Sequence, residues 1–109
     1  MARRALILIE GEILGPTLLY VQSAKHLWLQ PIILSAYPAQ FDYLVAKGIE
    51  AIRVATNDFE SLIDECSRLR ATYDIAGITS SEEEVYATVG KLCRYFDLPG
   101  PNPTSIERC

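Results

Sequence analysis

Short apolar runs alternate along the chain with longer stretches in which apolar residues recur at spacings of three and four. Ala5 to Ile9, Pro31 to Ala36, Ala51 to Ala55 and Ile75 to Thr79 are the short runs. All four read as strands, and the uniformly apolar Ala5 to Ile9, bounded by charge and glycine, fits a strand buried on both faces of a parallel sheet. Proline at the first position of the second run is tolerated, because no ladder donor is yet required there.

The intervening stretches read as helices. Thr17 to Leu29 carries Leu18, Leu19, Val21, Ala24, Leu27 and Trp28 on one stripe, and Pro16 suits its first turn. Pro38 opens a short helix with Phe41, Leu44 and Val45 inward, and Gly48 stands where a C-terminal cap belongs. Thr56, Asn57 or Asp58 caps the next, whose stripe is Phe59, Leu62, Ile63, Cys66 and Leu69. Ser80 or Ser81 caps the last, Glu84 completes a capping box with Ser81, and Val85, Val89, Leu92, Cys93 and Phe96 face inward. Leu98-Pro99-Gly100-Pro101 stops that helix.

Four strand–helix units in series predict an α/β fold: three layers, with helices on both faces of a four-stranded parallel sheet. The expected strand order is 3-2-1-4, a Rossmann-like arrangement. The domain is expected over residues 1–98, followed at 99–109 by a linker and the start of a further helix.

Composition fits this picture, with 109 residues, half of them hydrophobic and 22% charged, suiting a single buried core. Ten Lys and Arg against fourteen Asp and Glu give a net charge of −4, which offers no basic surface to a phosphate backbone. No nucleic-acid partner is expected. The apolar runs fall far short of the roughly 20 residues of a membrane span, and Glu10 interrupts the run after Arg3 and Arg4 that could open a signal peptide. A cytoplasmic location with no membrane partner is expected. Cys66, Cys93 and Cys109 are widely spaced and encode neither a disulfide framework nor a zinc site, so the first two are expected as buried small hydrophobes.

In open parallel sheets ligands bind beyond the carboxyl ends of the strands, where the strand order reverses. Here that point lies between the first and fourth strands, which selects Glu10, Gly11, Glu12, Gly15 and Ser80 as the substrate-binding candidates. The glycines allow close backbone approach, and the two carboxylates can grip an amino group. The same residues also suit an ordinary strand-to-helix loop. No G-x-G-x-x-G or P-loop pattern is present, and no catalytic or metal-ligating residue is assigned. His26 has no metal-spaced partner and reads as structural. The scattered aromatics Tyr20, Trp28 and Tyr37 are expected mainly in the core, with an exposed apolar face around Trp28 and Tyr20 as the alternative.

The Ile9-Glu10-Gly11 loop, the helix end His26-Leu27-Trp28-Leu29-Gln30 and the strand Pro31-Ile32-Ile33-Leu34-Ser35 together resemble the opening of an ATP-grasp ligase. Phe96 to Cys109, with Gly100-Pro101 followed by Ile106-Glu107, resembles the junction at which such enzymes leave the N-terminal pre-ATP-grasp domain. Gly11-Glu12-Ile13 is similar to the loop after the first strand of biotin carboxylase. The Asn-Arg that precedes the glycine there is Ile9-Glu10 here, which favours the carboxylate–amine ligases.

The resemblance implies an N-terminal domain of an enzyme that forms an acyl phosphate from a carboxylate and ATP and passes it to an amine. It implies ATP and magnesium for the full-length enzyme, held by residues beyond Cys109, and no cofactor in this chain. The implied partners are the remaining ATP-grasp domains, in the same or a separate chain, and a small carboxylate or amine substrate. A homodimer is left open. The competing expectation is a free-standing Rossmann-like domain that binds a small ligand or another protein without catalysis.

Overall fold

The computed structural model of the chain describes residues 3–10, 15–42, 48–80 and 85–98, with the backbone alone for 15–18. Strands β1 (Arg3–Ile9), β2 (Gln30–Ser35), β3 (Glu50–Arg53) and β4 (Tyr73–Thr79) form one sheet in the order β3-β2-β1-β4. All pairings are parallel. The fold class and strand order are those the sequence predicts.

Three α-helices and one 3-10 helix are described: α1 (Gly15–His26), the 3-10 turn Pro38–Phe41, α2 (Phe59–Arg70) and α3 (Tyr86–Tyr95). Alternation along the strands sends successive side chains to opposite faces. One face carries Ala5, Ile7, Ile9, Ile32, Leu34 and Ile78, buried with Leu62 and Cys66 of α2 and Val89 and Leu92 of α3. The other carries Leu8 and Ile33, packed with Val21 of α1 and with Phe41. Right-handed crossovers produce this division, since the chain reverses direction across the sheet between β3 and β4.

Local chemistry accounts for the helix ends. The Asp58 carboxylate accepts from the Glu60 backbone N–H at 3.2 Å and from the Ser61 hydroxyl at 2.9 Å, capping α2 as expected. Val85, which precedes α3, makes no side-chain cap hydrogen bond, and whether Ser80 or Ser81 caps this helix turns on residues 81–84, outside the described residues. The capping box of Ser81 and Glu84, the inward Leu44 and Val45, and the tail from 99 lie outside the described residues. Gly48 adopts φ 88, the left-handed conformation that glycine reaches at no steric cost.

Helix α1 ends at His26 instead of continuing to Leu29. The Trp28 N–H donates to the Lys25 carbonyl at 3.0 Å and the Leu29 N–H to the Ala24 carbonyl at 2.9 Å, with Trp28 at φ 63. These bonds make a Schellman turn, in which the left-handed residue closes the helix. The turn aims Leu27 and Trp28 away from the core, so both are exposed, while Val21 and Ala24 of the expected stripe are buried and the Leu18 side chain lies outside the described residues. Leu19 is exposed as well, and Tyr37 lies on the surface.

Helix α3 ends the same way. The Asp97 N–H reaches the Arg94 carbonyl at 3.3 Å and the Leu98 N–H the Cys93 carbonyl at 2.8 Å, with Asp97 at φ 56. Here the turn points Phe96 into the core.

Candidate functional site

Three polar side chains are fully buried among the described residues: Glu10, Ser35 and Ser80. All three stand at the carboxyl ends of adjacent strands. Glu10 follows β1, Ser35 ends β2 and Ser80 follows β4. A buried carboxylate or hydroxyl is costly unless hydrogen-bonded, and no described buried side-chain N or O lacks a partner.

Register aligns part of this set. Ile9 pairs with Leu34 and the Glu10 N–H donates to the Leu34 carbonyl at 3.0 Å, which carries Glu10 alongside Ser35. Ser35 pairs in turn with Arg53 of β3. Glu10, Ser35 and Arg53 therefore form one row across three strands, in phase with Leu8, Ile33 and Ala51 on the face that α1 covers. With strands about 4.8 Å apart, the ends of the row are separated by about 10 Å of backbone.

Ser35 is held by the turn that follows it. Its hydroxyl oxygen accepts from the Tyr37 N–H at 3.1 Å and from the Gln40 amide at 3.5 Å. Its carbonyl accepts from the Val54 N–H at 2.9 Å, tying the ends of β2 and β3 together. Neither Ser35 nor Arg53 is singled out by sequence reasoning. A hydroxyl two residues before the Tyr37 N–H is the pattern of an ST turn, and that signal was readable in Ser35-Ala36-Tyr37-Pro38.

Ser80 stands apart from this row. Leu8 pairs with Thr79, so Ser80 falls beside Ile9 and in phase with Ile78, toward the face covered by α2 and α3. Glu10 and Ser80 thus share a sheet edge without sharing a face. Gly15 is the first residue of α1. Gly11 and Glu12 lie outside the described residues.

A groove of about 380 Å³ opens where β3 ends, lined by Arg53, Val54 and Ala55 on the sheet side and by Ser61, Asp64, Glu65 and Arg68 of α2. Arg68 grips Glu65 in a fork, with Nε to Oε2 at 2.7 Å and a terminal nitrogen to Oε1 at 2.5 Å. The guanidinium beside it holds the Glu65 carboxyl below the usual carboxylate range. Arg53 enters no ion pair among the described residues.

The two described thiols are unsuited to chemistry. Burial pushes Cys66 up to about 12 and raises Cys93, whose Sγ lies 3.5 Å from the Ile78 carbonyl. Both are free and sit in the core as small hydrophobes, in keeping with the sequence. Among the described residues no group of three His, Cys, Asp or Glu is arranged to hold a metal ion. No described helix is long and apolar enough to cross a membrane.

Fold and site together define a Rossmann-like α/β domain with a polar row at its strand ends. No family model matches the sequence. Over 107 residues, 98% of the chain, it is 53% identical to "Uncharacterized protein y4rH" of Sinorhizobium fredii (strain NBRC 101917 / NGR234). The match covers 22% of that protein, so the chain spans about a fifth of the length of the curated relative it matches.

Proposed function

We propose that the chain is the N-terminal, substrate-side domain of an ATP-grasp ligase of the carboxylate–amine class. In this reading it contributes scaffold and one wall of the substrate cleft, while ATP and magnesium are held by further domains in the same or a separate chain. The observation that carries the reading is the row Glu10–Ser35–Arg53 at the carboxyl edge of a 3-2-1-4 sheet. A buried carboxylate at one end and, at the other, a guanidinium with no ion pair among the described residues suit a small molecule with an ammonium and a carboxylate. The 53% identity to a segment of a much longer protein supports a domain that works beside others. A cytoplasmic location, where ATP is plentiful, belongs with the reading.

The experiment is ADP release by the full-length Sinorhizobium relative, supplied with ATP, magnesium and pools of amino acids and other carboxylates. The proposal expects ADP that appears only when a carboxylate and an amine are both present, and none from the 109-residue chain alone. Turnover by the chain alone, or a longer protein inert with every pool, overturns it.

A second reading, a non-catalytic interaction domain, is favoured by one separate observation. Leu19, Leu27 and Trp28 are exposed together on α1 and the turn that closes it.

A further inference from the structure

The groove between the end of β3 and α2 has two walls of opposite hydrogen-bonding character. On the sheet side stands Arg53, whose guanidinium can only donate. On the helix side Ser61, Asp64, Glu65 and Arg68 recur at spacings of three and four, which sets them along one side of α2.

Two of these four engage each other, since Arg68 forks onto Glu65. The Ser61 hydroxyl gives its one proton to the Asp58 carboxylate at 2.9 Å, so toward the groove it can only accept. The Asp64 carboxylate is an acceptor as well, and it enters no ion pair among the described residues. The groove thus offers a ligand a cationic donor at Arg53 and two acceptors at Ser61 and Asp64, across about 380 Å³. That volume suits a small molecule. The groove also continues the polar row at the strand ends, because Arg53 belongs to both.

We propose that the small molecule bound here is a basic amino acid, with its carboxylate on Arg53 and the cationic end of its side chain in the groove against Asp64 and Ser61. The inference rests on the reading of the row Glu10–Ser35–Arg53 as a substrate site, and it names the class of that substrate. Glu10 takes the α-ammonium, and Asp64 takes the second cation. An acidic side chain meets Asp64 as a like charge, and an apolar one brings no donor to Asp64 and Ser61. Asp64 is exposed, so the preference it confers is modest, roughly threefold to fivefold.

Amide NMR on the 109-residue chain, titrated with L-arginine, L-lysine, L-alanine and L-glutamate, is the test. Arginine and lysine are expected to shift the signals of residues 53–55 and 61–68 in a saturable way, and to bind roughly threefold to fivefold more tightly than alanine. Asp64→Asn alters an exposed position, so it keeps the fold, which its spectrum verifies, and it loses that preference while still binding alanine. Arg53→Gln weakens every ligand. The proposal is overturned by the absence of a saturable shift at these amides, by alanine binding as tightly as arginine, or by Asp64→Asn retaining the preference. ADP release by the longer Sinorhizobium protein separates this inference from the ligase reading. Basic amino acids that bind the chain, beside a longer protein inert with every pool, keep the site and remove the ligase. ADP released with neutral amino acids alone keeps the ligase and removes the site.

Discussion

At Trp28 the side chain and the backbone pull in opposite directions. Left-handed φ costs an L-residue roughly 1–2 kcal/mol, and the exposed indole gains no burial in the monomer to offset it. Trp28→Gly removes the strain while adding glycine's extra chain entropy, roughly 0.5–1 kcal/mol. The net expectation is a monomer more stable by about 0.5 kcal/mol, read from the denaturation midpoint at low concentration. Asp97, at φ 56 in the matching turn of α3, is a residue type that tolerates this region, so the equivalent glycine gains less there. Trp28 was misplaced from sequence because its spacing fits a helical stripe, and spacing does not reveal where a helix ends. Once the Schellman turn closes at Leu27, everything after it leaves the stripe.

Cys66 yields a pH prediction with a definite sign. Its thiol titrates at about 12 in the fold against an ordinary 9.0, because burial disfavours the thiolate. Its contribution to stability is fully present below pH 9 and is lost as pH rises from there through about 12, since the unfolded chain releases the proton first. Equilibrium unfolding across that window should show the decline, and Cys66→Ala should flatten it. Equal slopes in the two proteins would remove Cys66 as the cause. At neutral pH the same burial predicts that native Cys66 and Cys93 resist alkylation and react only on unfolding.

Elements differ in how much of the core they carry. Among the described residues the face covered by α2 and α3 holds the larger cluster, while on the opposite face Val21, Phe41 and Ile49 pack against Leu8 and Ile33. Phe41 is fully buried at the end of the 3-10 turn that connects β2 toward β3. Phe41→Ala is expected to cost about 3–5 kcal/mol, because it removes a fully buried aromatic ring and leaves a cavity. Chemical denaturation measures this directly, and a loss near 1 kcal/mol would show that this face repacks.

The strands were the most legible elements, since runs such as Ala5 to Ile9 have no polar residue to confuse their phase. The parallel order followed from the connections, whose helices leave only right-handed crossovers. The site was legible in part. Glu10 and Ser80 were placed at the right edge by the rule of strand ends, but not their faces, which depend on register. Ser35 and Arg53 went unnoticed because each is an ordinary residue in its own strand. Only the pairing of β2 with β3 sets them beside Glu10.

At the scale of the whole molecule two surfaces stand apart. The carboxyl edge of the sheet carries the polar row proposed for substrate, and the outer side of α1 carries the exposed Leu19, Leu27 and Trp28. Neither offers the features by which folds of this class hold nucleotide: the sequence has no G-x-G-x-x-G after β1 and no Lys followed by Ser or Thr to complete a P-loop. The reading of a substrate-side domain therefore assigns nucleotide to another part of the enzyme.

Thermal unfolding of the isolated chain, with and without saturating ATP and magnesium, tests that assignment most directly. A ligand that binds only the folded state raises the midpoint by mass action. The expected result is the same midpoint in both conditions. A clear rise with ATP and magnesium would mean that this chain binds nucleotide itself, and would contradict its assignment as the substrate side of a larger ligase.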